Sequence, residues 1–225
     1  MNTPKELAKY IDNTLLKQDA TRTDIVELCR QSVQYAFKAV CVNSCWVKLC
    51  AEETSGSGVA VCSVVGFPLG AGVSAAKAFE AECAIRDGAS EIDMVINVGA
   101  LKSGMDQYVR DDIAAVAAAC KGKALLKVIL EMCLLTEEEK RKGIEFSRDA
   151  GADFVKTSTG FSSGGATVED IALMHSMVGG KMGIKAAGGV RSFADAKRVI
   201  EAGATRIGTS NGVKIIEGLE VTSGY

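Results

Sequence analysis

A short helix-ending motif recurs ahead of apolar stretches in this 225-residue chain. The motif is a glycine followed by alanine, and it stands at Gly88, Gly151 and Gly203. Glycine readily takes the left-handed conformation that ends a helix, and a chain that turns there into a new strand builds a parallel sheet. The motif therefore constrains the chain to strand and helix units in alternation.

Eight apolar stretches of strand length follow one another, each ahead of a stretch compatible with a helix. Continuous apolar strands are typical of parallel sheets that helices cover on both faces. Eight units favour a (β/α)8 TIM barrel, a single domain over residues 1–225 with a short N-terminal helix and a mobile polar tail at 219–225. The predicted strands are residues 10–16, 38–43, 59–66, 91–97, 124–131, 153–158, 182–187 and 205–209.

Threonine or serine ahead of an apolar periodic stretch marks the start of a helix, because its side chain caps free backbone N–H groups. This pattern predicts helix starts at Thr23, Thr136, Thr167 and Ser192. An open doubly wound sheet is the competing architecture, but it would carry a G-x-G-x-x-G fingerprint after the first strand. The chain has neither that fingerprint nor a Walker-type phosphate loop, so we expect no dinucleotide or ATP site.

The charge of the chain points to a small-molecule partner. Net charge is −2, and acidic and basic residues are mixed, so no basic tract indicates nucleic acid or an anionic membrane. The N-terminus lacks the basic flank and apolar segment of a secretory signal, and no apolar stretch is long enough to span a bilayer. We expect a cytoplasmic protein that binds neither nucleic acid nor membrane.

The eight cysteines are scattered through apolar segments, as free thiols acting as small hydrophobic residues would be. The closest three are Cys41, Cys45 and Cys50, no C-x-x-C motif occurs, and the single histidine, His175, is remote in sequence. These spacings do not match those of zinc ligands. We therefore expect no metal and no cofactor.

Charged residues stand inside predicted strands where aliphatic residues are usual. Lys127, Lys156 and Lys185 occupy three successive strands, and Asp93 occupies the strand before them. Because side chains alternate between faces of a strand, all four can point into one barrel. The plain alternative is that Asp93 pairs with Lys127 or Lys185 and nothing more. Burying several ammonium groups is costly, however, and both desolvation and a neighbouring cation lower the pKa of a lysine, which makes it a nucleophile toward carbonyl groups.

Two glycine-containing loops follow the seventh and eighth predicted strands. They are residues 188–192 and 208–212, at the loops where barrels commonly bind phosphate. Exposed backbone N–H groups and helix N-termini can stabilise a phosphate dianion there. The alternative is that these glycines only shape tight turns.

The motifs carrying these residues resemble the deoxyribose-phosphate aldolase family, class I aldolases on the (β/α)8 fold. They are Ile-Asp-Asn-Thr-Leu-Leu at 11–16, Ala-Val-Cys-Val-Asn at 39–43, Val-Gly-Phe-Pro-Leu-Gly at 65–70, Glu-Ile-Asp-Met-Val-Ile-Asn at 91–97, Phe-Val-Lys-Thr-Ser-Thr-Gly at 154–160, Lys-Ala-Ala-Gly-Gly-Val-Arg at 185–191 and Arg-Ile-Gly-Thr-Ser at 206–210.

The resemblance implies a metal-independent lyase of deoxyribonucleotide catabolism, which reversibly cleaves 2-deoxy-D-ribose 5-phosphate to D-glyceraldehyde 3-phosphate and acetaldehyde. It implies that Lys156 forms a Schiff base, that Lys185 favours loss of the proton from that amine, and that Asp93 transfers protons. We predict substrate or phosphate contacts from Asp12, Thr14, Cys41, Lys127, Thr157, Gly160, Gly188, Gly189, Arg191, Gly208, Ser210 and Asn211.

Two positions depart from the family pattern, which most often has His-Thr-Leu-Leu-Lys-Pro where this chain has Asn13 and Gln18 at the ends of the motif. Asn13 can form hydrogen bonds but cannot titrate. Tyr225 is a candidate to reach over the barrel mouth and assist protonation, the alternative being a plain tail. Another class I or transaldolase-like activity stays open, as does a phosphosugar-binding sensor without catalysis. We expect a homodimer.

Overall fold

Eight parallel strands close into a barrel in sequential order, each paired with the next and the eighth with the first. The computed structural model describes residues 3–219. The (β/α)8 prediction is confirmed, and every predicted strand contains the observed one. The strands are β1 Ile11–Leu15, β2 Ala39–Val42, β3 Ala60–Val65, β4 Glu91–Val95, β5 Leu125–Ile129, β6 Phe154–Lys156, β7 Gly183–Ala187 and β8 Arg206–Thr209.

Helices surround the barrel and connect its strands. Across residues 3–219 they are α1 Pro4–Ala8, α2 Arg22–Gln34, α3 Val47–Glu53, α4 Ser74–Arg86, α5 Val98–Lys102, α6 Asp106–Cys120, α7 Glu137–Asp149, α8 Val168–Val178, α9 Phe193–Glu201 and α10 Gly212–Ile216, with short 3-10 helices at Ser44–Trp46 and Met132–Leu134. Within this described part of the chain, every helix is too short or too polar to cross a membrane.

Helix ends follow the sequence signals with one exception. Thr136, Thr167 and Ser192 cap α7, α8 and α9 as predicted. The predicted start of α2 at Thr23 is wrong, because Thr21 caps that helix and forms a reciprocal capping box with Asp24. Glycines at the predicted helix ends have φ values of 111°, 81° and 122° at Gly88, Gly151 and Gly203.

The barrel has two distinct buried layers. Outward-facing strand residues such as Ile92, Met94 and Val128 pack against the helices in a large apolar cluster. Inside the barrel, a small apolar cluster that includes Cys41, Cys62 and Val64 fills the side formed by β2 and β3. On the other strands the interior holds charged side chains among a few aliphatic ones, such as Val95 and Ile129. A TIM barrel interior is ordinarily packed with aliphatic residues, so the charged half marks a site.

The last six residues of the chain, 220–225, lie beyond the described residues. Leu219 is described and exposed. The rest of the predicted mobile tail, residues 220–225, lies outside the residues that the structure describes. The predicted contribution of Tyr225 to the site lies outside them as well.

Candidate active site

Seven charged side chains meet inside the barrel, and none is more than 3% exposed. Strand alternation places them on the inner face, and parallel pairing aligns Asp93 with Lys127 and Lys156 with Lys185. The structure thus brings together the four charged residues that the strand pattern singled out. The full set is Asp12, Glu91, Asp93, Lys127, Lys156, Lys185 and Arg206.

Asp93 is the centre of this cluster, because both of its carboxylate oxygens accept hydrogen bonds from lysines. Oδ2 accepts from Nζ of Lys156 at 2.7 Å and from Nζ of Lys185 at 2.8 Å. Oδ1 accepts from Nζ of Lys127 at 2.7 Å and from Sγ of Cys62 at 3.1 Å. Burial opposes ionisation of Asp93, but the three ammonium groups outweigh it and hold the pKa of this carboxyl well below its usual range.

Two of the three lysines are held by a second carboxylate. Lys185 lies 2.5 Å from Oδ2 of Asp12, and Lys127 lies 2.7 Å from Oε2 of Glu91. Burial would lower the pKa of each lysine, but the facing carboxylates prevail, so the pKa of Lys185 is raised well above its ordinary value and that of Lys127 is raised as well. Both side chains therefore remain cationic at neutral pH.

A layer of ion pairs closes the interior beneath these lysines. Arg206 donates to both Asp12 and Glu91, the Glu91 contact measuring 2.7 Å at Oε1. Sequence reasoning gave no role to Glu91, Arg206 or Cys62. A signal existed, since Glu91 lies two residues before Asp93 and Arg206 two before Gly208, on the same strand faces.

Several residues predicted to contact substrate lie deeper than the barrel mouth. Asp12 and Lys127 are fully buried members of the ion-pair network, so they do not line an open phosphate rim. Thr157 is also fully buried, and its Oγ1 bridges the backbone of Ala187 at 3.1 Å. Cys41 lies in the inner apolar cluster.

The loops after β7 and β8 do come together. Gly188 and Gly189, with φ of 74° and 78°, share a small recess with Arg191 and the β8 loop. The recess contains all six residues predicted from these loops, namely Gly188, Gly189, Arg191, Gly208, Ser210 and Asn211. It lies at the carboxyl ends of the strands, where barrel enzymes bind phosphate. Gly160 adjoins it, because a Cβ built on Gly188 would stand 3.9 Å from the Gly160 Cα.

A polar groove of about 490 Å³ leads to the same end of the barrel, and Thr14, Ser210 and Asn211 line it. A larger groove, of about 730 Å³, opens near Ser90, Leu125 and Asp153, at the amino ends of β5 and β6. We assign access to the smaller groove because active sites of TIM barrels lie at the carboxyl face.

The two departures from the family pattern occupy different surroundings. Asn13 is buried, and its Nδ2 donates to Oγ of Ser32 at 3.2 Å. It therefore points toward α2, where an amide satisfies the same contact without titrating. Gln18 is exposed in the loop after β1.

One group of potential metal ligands exists within the described residues. A ligand atom from each of Cys41, Cys62 and Asp93 lies within 4.8 Å of the others. The Asp93 carboxylate already contacts three ammonium groups. Burial raises the pKa of the Cys62 thiol well above its usual value, so that ligand is neutral. Positive charge and a protonated thiol make this a poor site for a divalent cation.

Comparison with known proteins shows the family of the chain. The family model described as DeoC/LacD family aldolase matches residues 7–218. A deoxyribose-phosphate aldolase of Geobacillus sp. (strain WCH70) is 58% identical over 97% of this chain and 98% of that protein. One from Lysinibacillus sphaericus (strain C3-41) is 57% identical over 98% of this chain and 99% of its own length.

A solved structure shows the same fold at lower identity. The tetrameric deoxyribose phosphate aldolase from Aeropyrum pernix is 35% identical and superimposes with a TM-score of 0.90, over 96% of this chain and 92% of that one. Sequence and fold agree over nearly the whole length, and this chain belongs to the DeoC/LacD family of aldolases.

Proposed function

We propose that this chain reversibly cleaves 2-deoxy-D-ribose 5-phosphate to D-glyceraldehyde 3-phosphate and acetaldehyde, through a Schiff base on Lys156. The observation that carries the proposal is the buried triplet of Asp93, Lys156 and Lys185, which lie on the inner faces of β4, β6 and β7. The relatives at 57–58% identity bear the name of this activity, which gives the substrate.

Lys156 is the amine that the cluster holds least firmly. Four cationic side chains face three carboxylates in this cluster. Arg206, Lys127 and Lys185 each contact two carboxylates, whereas Lys156 contacts Asp93 alone. Lys156 is therefore the lysine with the fewest ionic partners, and an amine nitrogen is the nucleophile that adds to a carbonyl group.

The reaction follows from a nucleophilic amine beside a proton-transfer group. Nζ of Lys156 adds to C1 of the open-chain aldehyde, and loss of water with uptake of one proton from solvent gives the protonated imine, a proton that the final hydrolysis returns. Asp93, directly or through water, takes the proton of the C3 hydroxyl as the C2–C3 bond breaks. The bonding electrons move to the imine nitrogen, which leaves an enamine and releases glyceraldehyde 3-phosphate. Protonation at C2 and hydrolysis then release acetaldehyde and restore the amine.

The recess at the ends of β7 and β8 is the candidate site for the substrate phosphate. Glycine backbone there leaves N–H groups open to an anion, and Arg191 supplies a cation at its edge. Thr14, Ser210 and Asn211 line the groove that leads to it. We assign these residues to the phosphate and the sugar hydroxyls, and Lys156 to the aldehyde carbon.

Product analysis tests the activity and separates it from its alternatives. Wild-type protein should convert 2-deoxyribose 5-phosphate to both products, and Lys156→Met should lower kcat by roughly 10⁴-fold or more because it removes the nucleophile. Lys197→Met, at a half-exposed position on α9, is the matched control. A different product pair would indicate another class I aldolase or a transaldolase-like enzyme. Tight binding without turnover would indicate a sensor.

We also propose that the enzyme is a cytoplasmic homodimer. Large apolar side chains stand exposed at the start of α4 and ahead of it: Leu69 is 78%, Val73 65% and Phe79 63% exposed. Exposed apolar side chains of this size are frequent at self-association surfaces. Light scattering should give twice the 23.5 kDa chain mass, and Phe79→Glu should yield monomers. A monomeric mass for the wild-type protein would contradict the homodimer. Recovery of the protein in a membrane or secreted fraction of the host cell would contradict the cytoplasmic location.

A further inference from the structure

Glu131 is a buried carboxylate at the barrel mouth for which the reaction above has no use. It follows β5 and is 4% exposed. Its backbone lies in the left-handed region, with φ of 55° and ψ of 58°. A non-glycine residue costs energy in that region and persists only where its surroundings hold it, which occurs most often at functional sites.

The Glu131 side chain holds a single residue of the neighbouring loop. Oε1 accepts from the backbone N–H of Thr159 at 3.1 Å, and Oε2 accepts a short hydrogen bond from the Thr159 hydroxyl. The same hydroxyl oxygen accepts from the backbone N–H of Phe161 at 3.0 Å. A chain of hydrogen bonds therefore runs from the carboxylate through Thr159 to Phe161. It fixes the turn around Gly160, whose φ is 88°.

This turn separates Lys156 from the recess assigned to phosphate. Gly160 lies four residues beyond Lys156 and adjoins Gly188 of the recess. Further along the same loop, the backbone N–H of Ala166 donates to the carbonyl of Gly188 at 3.0 Å. The segment that Glu131 holds thus packs against Gly188, one of the residues that line the recess. Lys156 itself depends on Asp93, not on this segment.

We propose that Glu131 is a positioning residue that shapes the binding site for the phosphorylated half of the substrate and leaves imine formation on Lys156 unaffected. The inference rests on the proposed function, because it assigns different residues to the two halves of one substrate. The Asp93 cluster supports the carbon–nitrogen chemistry. The Glu131 and Thr159 bridge supports recognition of the phosphosugar.

Glu131→Gln tests this separation with two assays on the same protein. The glutamine amide can still accept the Thr159 N–H, but the hydroxyl loses its acceptor, so the turn around Gly160 loosens. KM for 2-deoxyribose 5-phosphate should rise about tenfold with kcat within about threefold, the effect of one hydrogen bond to a charged group. Exchange of the acetaldehyde methyl protons with D₂O should keep its wild-type rate, because it requires only the imine. Glu137→Gln, on the exposed start of α7, is the matched control.

A double-mutant cycle tests whether Glu131 acts through Thr159. Thr159→Val removes the hydroxyl at nearly constant shape. If Glu131 acts through Thr159, the double variant Glu131→Gln with Thr159→Val should have the same KM as Thr159→Val alone. Thr159→Ser should retain wild-type KM. If Glu131→Gln folds poorly, Thr159→Val is the alternative variant, because it breaks the same hydrogen bond without altering Glu131. The inference then predicts a raised KM and an unchanged rate of methyl exchange for Thr159→Val.

Two results would overturn the inference. One is an unchanged KM in Glu131→Gln and Thr159→Val, and the other is an equal loss of cleavage and methyl exchange, which a general structural defect produces. Wild-type protein without methyl exchange would overturn the proposed function and the inference together. Wild-type exchange with an unchanged variant KM would overturn the inference alone.

Discussion

At the scale of single residues, one carboxylate organises the site. Asp93 joins three lysines from three neighbouring strands, and strand alternation alone was enough to predict that these four side chains share a face. Their individual partners were not predictable. The second carboxylate on Lys185, from Asp12, comes from a strand far away in sequence. The left-handed backbone of Glu131 has no local signal, because the loop after β6 imposes it.

Replacement of Lys185 tests the electrostatic part of the account. Lys185 contacts the same Asp93 oxygen as Lys156 and stays protonated, so it disfavours a second cation beside it. Lys185→Leu should move the pH–rate profile of cleavage to higher pH and lower kcat at neutral pH on the order of 10²-fold. Lys185→Arg keeps the charge and should keep the profile near its wild-type position. A leucine variant with the wild-type profile would show that this charge does not act on the nucleophile.

At the scale of elements, the sequence predicted where strands and helices lie better than how they begin. All eight strands were found because each is an apolar stretch between turn signals. The start of α2 was misplaced because Thr21 and Thr23 both precede an apolar residue, and only Thr21 has an acidic residue three positions on that can complete a capping box. Contacts between helices could not be predicted from local sequence pattern, and several of them are ion pairs.

The ion pair between α4 and α6 gives a prediction at this scale. Nζ of Lys77 lies 2.5 Å from Oδ2 of Asp112, both side chains are at most 1% exposed, and Nζ also donates to the Val95 carbonyl at the end of β4. Asp112→Ala should lower the free energy of unfolding by about 3–5 kcal/mol because it leaves a buried ammonium unpaired. Lys77→Met with Asp112→Leu should recover most of that loss.

Urea unfolding of the single and double variants measures both quantities. Arg141→Ala, which breaks an exposed pair with Glu137 on α7, is the control and should change the unfolding free energy by less than about 1 kcal/mol. If the double variant is as unstable as Asp112→Ala, the loss of stability does not come from the unpaired ammonium group, and the prediction is contradicted.

At the scale of the whole molecule, the barrel interior is divided between an apolar side on β2 and β3 and a charged side on the remaining strands. The fold class was predictable because eight repeats of one unit leave few architectures. This division was only partly predictable, since the Arg206 and Glu91 pair lies at the amino ends of distant strands. A charged interior makes the stability of the entire fold depend on pH.

The direction of that dependence follows from the shifted groups. The pKa values of Asp93 and Asp12 are lowered, so their stabilisation is complete above the unfolded-state value of about 3.9 and is lost as pH falls below it. The pKa values of Lys127 and Lys185 are raised, so their stabilisation is complete below about 10.4 and is lost as pH rises beyond it. Urea midpoints should therefore form a plateau between about pH 5 and pH 10. A steady decline from pH 7 to pH 5 would contradict these assignments.

Borohydride trapping tests the central claim most directly. The protein is reduced in the presence of acetaldehyde or 2-deoxyribose 5-phosphate, digested, and mapped by mass spectrometry. We expect a reduced adduct on Lys156, with the loss of that adduct in Lys156→Met and its retention in Lys197→Met. An adduct on Lys127, Lys185 or a surface lysine instead, or none in an active protein, would contradict the claim that Lys156 is the imine-forming residue.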